Sequence, residues 1–167
     1  MPILLAFFLL CVACGEVGDN PPTENTTNDD TLMDFNIQLE SINSDKPFSA
    51  FNKRLLMIYY IKPLCTYCQN GYGNIQQIAN KYEPKGLASI AIVVGYANKS
   101  DILWFIEEYE ASMPFFQDSE YMFSKKYGTG YTPMHYLVFP NRKILSYENS
   151  GSQIKKMVSD IEAYLSK

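Results

Sequence analysis

Leu55-Leu56-Met57-Ile58-Tyr59-Tyr60-Ile61 runs through Lys62-Pro63-Leu64 into Cys65-Thr66-Tyr67-Cys68. Consecutive apolar residues of this kind read as a strand buried on both faces. The next stretch is compatible with a helix from about Thr66 to Tyr82, stopped by Pro84 and Gly86. The CxxC therefore falls where a strand hands the chain to a helix. At that junction the unpaired N–H groups and the helix dipole favour the Cys65 thiolate, and Lys62 adds a nearby positive charge. Cys68 lies one turn on, close enough to close a disulfide. A strand that delivers two cysteines to a helix N-terminus is a redox device.

Working outward, Ser89-Ile90-Ala91-Ile92-Val93-Val94 is apolar at nearly every position and reads as a buried parallel strand. Asp101 to Glu110 reads as an amphipathic helix capped by Ser100 or Asp101, with Ile102, Phe105, Ile106 and Tyr109 on one face. Glu120 to Tyr127 is a short helix ended by Gly128. Tyr136 to Phe139 and Ile144 to Tyr147 form an antiparallel pair around Pro140-Asn141-Arg142-Lys143, and a last helix from Ser152 buries Ile154, Met157, Val158, Ile161 and Leu165. On the other side of the CxxC, the period-two run Phe35, Ile37, Leu39 and the polar turn Ser44-Asp45-Lys46-Pro47 predict an N-terminal β-hairpin. The sum is an α/β sandwich with a mixed central β-sheet flanked by helices. Trp104 and Phe105 are expected in the packing rather than on a binding face.

The chain has 167 residues, enough for one domain with a real core. Residues 1–45 hold eight acids and no Lys or Arg, whereas residues 46–167 hold fourteen bases and ten acids. The bases are scattered, which leaves no nucleic-acid footprint. Pro2 to Ala13 is an apolar run of twelve residues, too short for a bilayer and suited to a signal peptide spanning residues 1–13. Val12-Ala13-Cys14 resembles the lipobox of bacterial lipoproteins, which implies cleavage before Cys14 and its lipidation; the alternative is a plain leader with an incidental Cys14. Residues 14–33, rich in Asn, Asp, Thr, Gly and Pro, read as a flexible linker that holds the folded domain, 34–167, off a membrane.

Tyr127-Gly128-Thr129-Gly130-Tyr131-Thr132-Pro133, just before the strand expected beside the CxxC strand, makes a resemblance specific. Together with Asp34-Phe35, Lys46-Pro47-Phe48-Ser49, Leu55 to Cys68 and Met113-Pro114-Phe115-Phe116-Gln117-Asp118, it resembles the thioredoxin fold, and within it the TlpA-like and redoxin-type thiol-disulfide oxidoreductases of bacterial envelopes. The resemblance implies that Pro133 is a cis-proline facing the disulfide, leaving the Thr132 backbone free to pair with an extended substrate. It implies Cys65 as nucleophile, Cys68 as resolving cysteine, and no cofactor beyond the redox-active Cys65–Cys68 disulfide. The expected partners are exported protein thiols and disulfides, a membrane redox partner, and the membrane itself through the lipid anchor. A reductant is favoured, since Thr66-Tyr67 supplies no charge between the cysteines of the kind a strong oxidant uses.

The chain departs from that family at two proton-handling positions. Tyr59 stands six residues before Cys65, where thioredoxins keep a buried acid, and Gly71 stands three after Cys68, where some TlpA-like proteins keep Glu. His135, the only histidine, lies two residues past Pro133 and hence on the same sheet face, so it is a candidate proton acceptor for Cys68; a hydrogen-bonded core histidine is the plainer reading. Tyr67 and Tyr131 flank the CxxC and the Thr132-Pro133 loop and are candidates for a substrate-facing rim. Structural zinc would need a second ligand pair, and beyond the leader and Cys14 only His135 remains. Three rivals share the fold: a copper-binding metallochaperone using Cys65, Cys68 and His135, a peroxiredoxin, whose Pro and Thr offsets Lys62 and Pro63 do not match, and a binding module with a vestigial CxxC.

Overall fold

A computed structural model describes residues 32–167. The residues expected to form a signal peptide, Cys14 and most of those expected to form a linker lie outside the described residues. The elements run β1 (Glu40–Ser41), a 3-10 turn (Phe48–Phe51), β2 (Leu55–Ile61), α1 (Thr66–Tyr82), β3 (Leu87–Val93), α2 (Lys99–Glu108), β4 (Phe115–Gln117), α3 (Met122–Tyr127), β5 (Met134–Val138), β6 (Ile144–Glu148) and α4 (Gly151–Leu165). They form one six-stranded sheet in the order β1-β4-β3-β2-β5-β6. β2, β3 and β4 are mutually parallel, while β1, β5 and β6 run antiparallel to their neighbours.

The crossovers explain which helix lies where. β2 to β3 and β3 to β4 step in the same direction, and right-handed crossovers then put α1 and α2 on one face. Ile102 and Phe105 of α2 accordingly share a cluster with Tyr72 and Ile75 of α1 and with Met157 and Ile161 of α4. The connection from β4 to β5 passes back over β3 and β2, and its helix α3 covers the opposite face, where Phe123 and Tyr127 meet Ile58, Tyr60 and Ile92. Strand alternation divides β2 between the two: Leu55, Met57, Tyr59 and Ile61 face α1, and Leu56, Ile58 and Tyr60 face α3. All seven residues of β2 are buried, as expected for the central strand.

The opening segment corrects the expected hairpin. Phe35 and Ile37 are buried on the α3 face, but they lie in a loop, and β1 is only two residues long, paired with β4. Asp34 is the reason. Its carboxylate accepts from the Asn36 N–H (3.0 Å) and its carbonyl from the Ile37 N–H (3.5 Å), a side-chain-made turn that draws the backbone out of a ladder. The apolar residues fold in against Phe48, Phe51 and Phe116 instead. The domain also begins earlier than residue 34: Met33 is fully buried, its N–H bonds to the Arg142 carbonyl (2.8 Å), and Leu32 bridges to Lys143. α2 starts at Lys99 behind Asn98, one or two residues before the expected caps, and Trp104 is exposed while Phe105 is buried.

Candidate active site

Cys65 is the residue that precedes the first turn of α1, in an extended conformation (φ −87°, ψ 118°). The turn that leads β2 into α1 is held by the Cys65 N–H on the Lys62 carbonyl (3.0 Å) and by the Gln69 side-chain amide on the Pro63 carbonyl (2.9 Å). Both cysteines are thiols, Cys65 half-buried and Cys68 fully buried. Across from them the loop before β5 brings in Thr132 and the buried Pro133, joined by a cis peptide bond, and the Cys65 thiol donates to the Thr132 carbonyl at 3.7 Å.

The two sulfurs are chemically unlike. Partial burial pushes the Cys65 thiol up, but the polar groups of Cys68, Thr132 and Tyr67 around its sulfur act the other way, and the net result lies below the usual thiol range. The Tyr67 and Cys68 N–H groups belong to the first turn of α1, where the start of a helix leaves its donors free. Cys68 is pushed up to about 12, chiefly by burial, against which the Lys62 N–H acts; the Cys65 sulfur adds to the rise. One thiol is therefore poised as a nucleophile and the other is kept protonated until a sulfur approaches it.

Tyr59 underlies the pair. Its hydroxyl donates to the Cys68 carbonyl (2.8 Å), and burial, followed by the two cysteines, raises its pKa far above any working pH, so it stays a neutral donor. His135 stacks on the Tyr59 ring (centroids 5.1 Å apart, planes at 14°) and its Nε2 faces the Asn149 side-chain oxygen at 3.3 Å. Burial pulls His135 down to about 4, with the Asn149 contact opposing. This corrects its candidacy as the proton acceptor: an imidazole that resists a proton until about pH 4 cannot take one from a thiol held near 12. It is a hydrogen-bonded core histidine, and Tyr59 is the residue between it and the cysteine turn. The groups that act on the two thiols include no carboxylate.

Gly71 closes this cluster from the helix side: a Cβ there would stand 3.2 Å from the Tyr59 hydroxyl and 3.6 Å from the Asn149 oxygen. Tyr67 and Tyr131 are 72% and 76% exposed on either side of Cys65, with Leu64 exposed beside them. Among the described residues no three His, Cys, Asp or Glu side chains come together to hold a metal, so Cys65, Cys68 and His135 do not form the copper set. Asn149 and the Gln69 clamp carried no signal in the sequence, because each acts through a partner that only the tertiary structure supplies.

Residues 29–147 match the AhpC/TSA family. No curated protein matches the chain in sequence. Among solved structures it is similar to a secreted disulfide oxidoreductase of Mycobacterium tuberculosis (TM-score 0.62, 11% identity, covering 75% of this chain and 93% of that one). It is similar also to the thioredoxin domain of a thiol-disulfide oxidoreductase from Bacteroides vulgatus (0.64, 16%, 78% and 95%). A thiol-disulfide isomerase from Corynebacterium glutamicum gives 0.65, 18%, 80% and 96%. At such identities the likeness speaks for the fold, which is the thioredoxin fold.

Proposed function

Starting from the chain's membership of the AhpC/TSA family, we propose that it is a thiol-disulfide oxidoreductase acting through Cys65 and Cys68. The observation that carries this reading is the unlike pair of thiols, one lowered and half-exposed at the start of α1, the other buried and held near 12. The Cys65 thiolate attacks one sulfur of a substrate disulfide; the substrate S–S bond breaks, and the released sulfur leaves as a thiolate that takes up a proton. Cys68 then gives up its proton to solvent and attacks the Cys65 sulfur, breaking the mixed disulfide. The protein now holds Cys65–Cys68 as a disulfide and the substrate carries two thiols, two electrons having passed to it. With no carboxylate acting on Cys68, the second step draws on solvent base.

The neutral Thr66-Tyr67 pair between the cysteines favours a reductant, recharged by a membrane dithiol partner, with exported proteins as substrates. An envelope location and an anchor through Cys14 complete the reading. Among the described residues no helix is long and apolar enough to cross a membrane.

The test is the reduction potential of the purified protein, equilibrated with glutathione or dithiothreitol. A value near −270 mV marks a reductase and one near −120 mV an oxidant, each expressed as about a tenfold change in equilibrium constant per 30 mV. Cys65→Ser should abolish exchange, and Cys68→Ser should accumulate a mixed disulfide. Exchange no faster than in Cys65→Ser, with hydrogen peroxide consumed instead, would replace this reading with the peroxidase one.

A further inference from the structure

The Cys68 carbonyl sits in the first turn of α1, where the helix itself supplies one partner, the N–H four residues on. The Tyr59 hydroxyl, at 2.8 Å, is a second. That bond runs from β2 to the backbone of the resolving cysteine, so it ties the cysteine turn to the sheet from beneath. A buried tyrosine hydroxyl needs an acceptor, and many carbonyls could serve. Here the surroundings hold Tyr59 to this one.

Tyr59 is fully buried and its ring is braced on both sides. It lies opposite His135 in the β2–β5 register and stacks on that imidazole, centroids 5.1 Å apart and planes at 14°. His135 is held in turn by the Asn149 side-chain oxygen at 3.3 Å. From the helix the Tyr72 ring comes to 6.1 Å, its own hydroxyl donating to Gln76 (2.6 Å). Gly71, three residues beyond Cys68, leaves the room that the hydroxyl occupies: a Cβ there would stand 3.2 Å from it, closer than an ordinary contact, and 3.6 Å from the Asn149 oxygen. Side chains of β5, α1 and the loop after β6 thus converge on one residue of β2.

The direction of the restraint follows from the two sulfurs. Cys65 is half-exposed, where a substrate sulfur can reach it, and Cys68 is fully buried beneath the turn. To resolve a mixed disulfide, the Cys68 sulfur must close to about 2.05 Å from the Cys65 sulfur, which draws it out of its packing. A bond from β2 to the Cys68 carbonyl opposes that movement and does not touch Cys65. Burial and the two cysteines keep Tyr59 neutral at any working pH, so it acts on the position of Cys68 and takes no proton from it.

We propose that Tyr59 is a positioning residue that restrains the resolving step: by holding the Cys68 carbonyl against β2 it keeps the Cys68 sulfur down, and a mixed disulfide on Cys65 outlives its formation. The proposal rests on the reading of Cys65 as nucleophile and Cys68 as resolving cysteine, and adds the group that times the second step. In that step the Cys68 proton goes to solvent, its thiolate forms the Cys65–Cys68 bond, and the substrate sulfur leaves with the electron pair of the broken bond.

The test mixes the reduced full chain, carrying Cys11→Ser and Cys14→Ser, with a symmetrical aromatic disulfide whose released thiolate is coloured. Attack by Cys65 releases the first thiolate at a rate proportional to reagent concentration; resolution by Cys68 releases the second at a rate independent of it. Tyr59→Phe should leave the first phase unchanged and speed the second about fivefold, roughly what one hydrogen bond is worth. Its reduction potential should fall by about 20 mV, the same fivefold at 29.6 mV per tenfold, because the dithiol form loses the bond. Gly71→Ala, which sets a Cβ against the hydroxyl and a better helix former in α1, should speed the second phase too, and decides the matter if Tyr59→Phe fails to fold. Tyr72→Phe, whose hydroxyl bonds to Gln76, should leave both phases alone. Absence of the first phase would remove the oxidoreductase reading itself. A normal first phase with the second unchanged or slowed in Tyr59→Phe and Gly71→Ala would overturn the proposal and leave that reading standing. So would an equal acceleration in Tyr72→Phe, since the effect would then be a general loosening of the α1 face.

Discussion

Tyr59 and Tyr60 are consecutive on β2 and serve opposite faces of the sheet, and the two faces handle buried polar groups differently. On the α3 face they close the chain upon itself: the Tyr136 hydroxyl donates to the Tyr127 carbonyl (2.7 Å), and the Tyr127 hydroxyl donates to the Leu32 carbonyl (3.1 Å) while accepting from the Asp34 N–H (2.7 Å). On the α1 face the Tyr59 hydroxyl and the His135 ring gather beneath the cysteine turn, and there His135 Nδ1 is buried with no protein partner. A buried polar atom left unpaired costs about 1–3 kcal/mol. The face that carries the chemistry thus gives up stability that the other retains.

The largest expected effect separates closure from chemistry. Phe123, fully buried among Tyr60, Tyr127 and Tyr136, should cost about 3–5 kcal/mol in urea unfolding when changed to Ala, and the reduction potential of the still-folded fraction should not move. A shift in potential as large as the loss of stability would couple the two faces and break the comparison.

The next effect belongs to the α1 face alone. His135 has its ordinary value of 6.5 in the unfolded chain and about 4 when folded, so both states are neutral above pH 6.5 and its contribution is complete there. As pH falls from 6.5 to about 4 only the unfolded chain takes up the proton, and stability drops by about 3 kcal/mol at 1.36 kcal/mol per pH unit. His135→Phe keeps a ring against Tyr59 and removes the unpaired nitrogen. Its stability at pH 7 should be unchanged or higher, and that part of the acid slope should vanish; an identical slope would place the titrating group elsewhere.

The smallest effect is the sharpest contrast. Tyr59→Phe removes a single hydrogen bond worth about 1 kcal/mol and should change the alkylation rate of Cys68 in Cys65→Ser protein, because it frees the Cys68 carbonyl. Tyr60→Phe, one residue along and facing Phe123, should leave that rate alone. Equal effects from the two would mean that β2 transmits both through the backbone.

How far the sequence could be read depends on the same division between local and distant causes. β2 and α1 have the expected limits, Leu55–Ile61 and Thr66–Tyr82, because an apolar run, a CxxC and the Pro84/Gly86 stop are all local signals. β4, three residues long, has too few positions to show a period, and β1 exists only because β4 lies beside it. Phe35 and Ile37 were legible as buried but not as a loop, since the Asp34 turn outweighs alternation. The site divides likewise. The positions of Cys65, Cys68, Thr132 and Pro133 follow from motif order, whereas the role of His135 hangs on Asn149 fourteen residues away and on a Tyr59 ring reached only across the β2–β5 register. Tyr59 was visible as the residue in place of an acid; that its hydroxyl holds the Cys68 carbonyl was not.

Gly95 sets the distance between the loop after β3 and the loop after β4 by what it leaves out. A Cβ there would stand 2.3 Å from the Asp118 carbonyl and 3.1 Å from the Tyr121 ring, so any other residue wedges the loop after β3 away from the loop after β4. A single added methyl group would then part the Gly95 backbone from Tyr121 while the turn that carries Cys65 and Cys68, held by its own bonds to Lys62 and Pro63, stayed where it is. The spacing of these two loops and the geometry of the cysteine turn are in this sense separately heritable, one written in a backbone contact beyond β3 and the other in the first turn of α1.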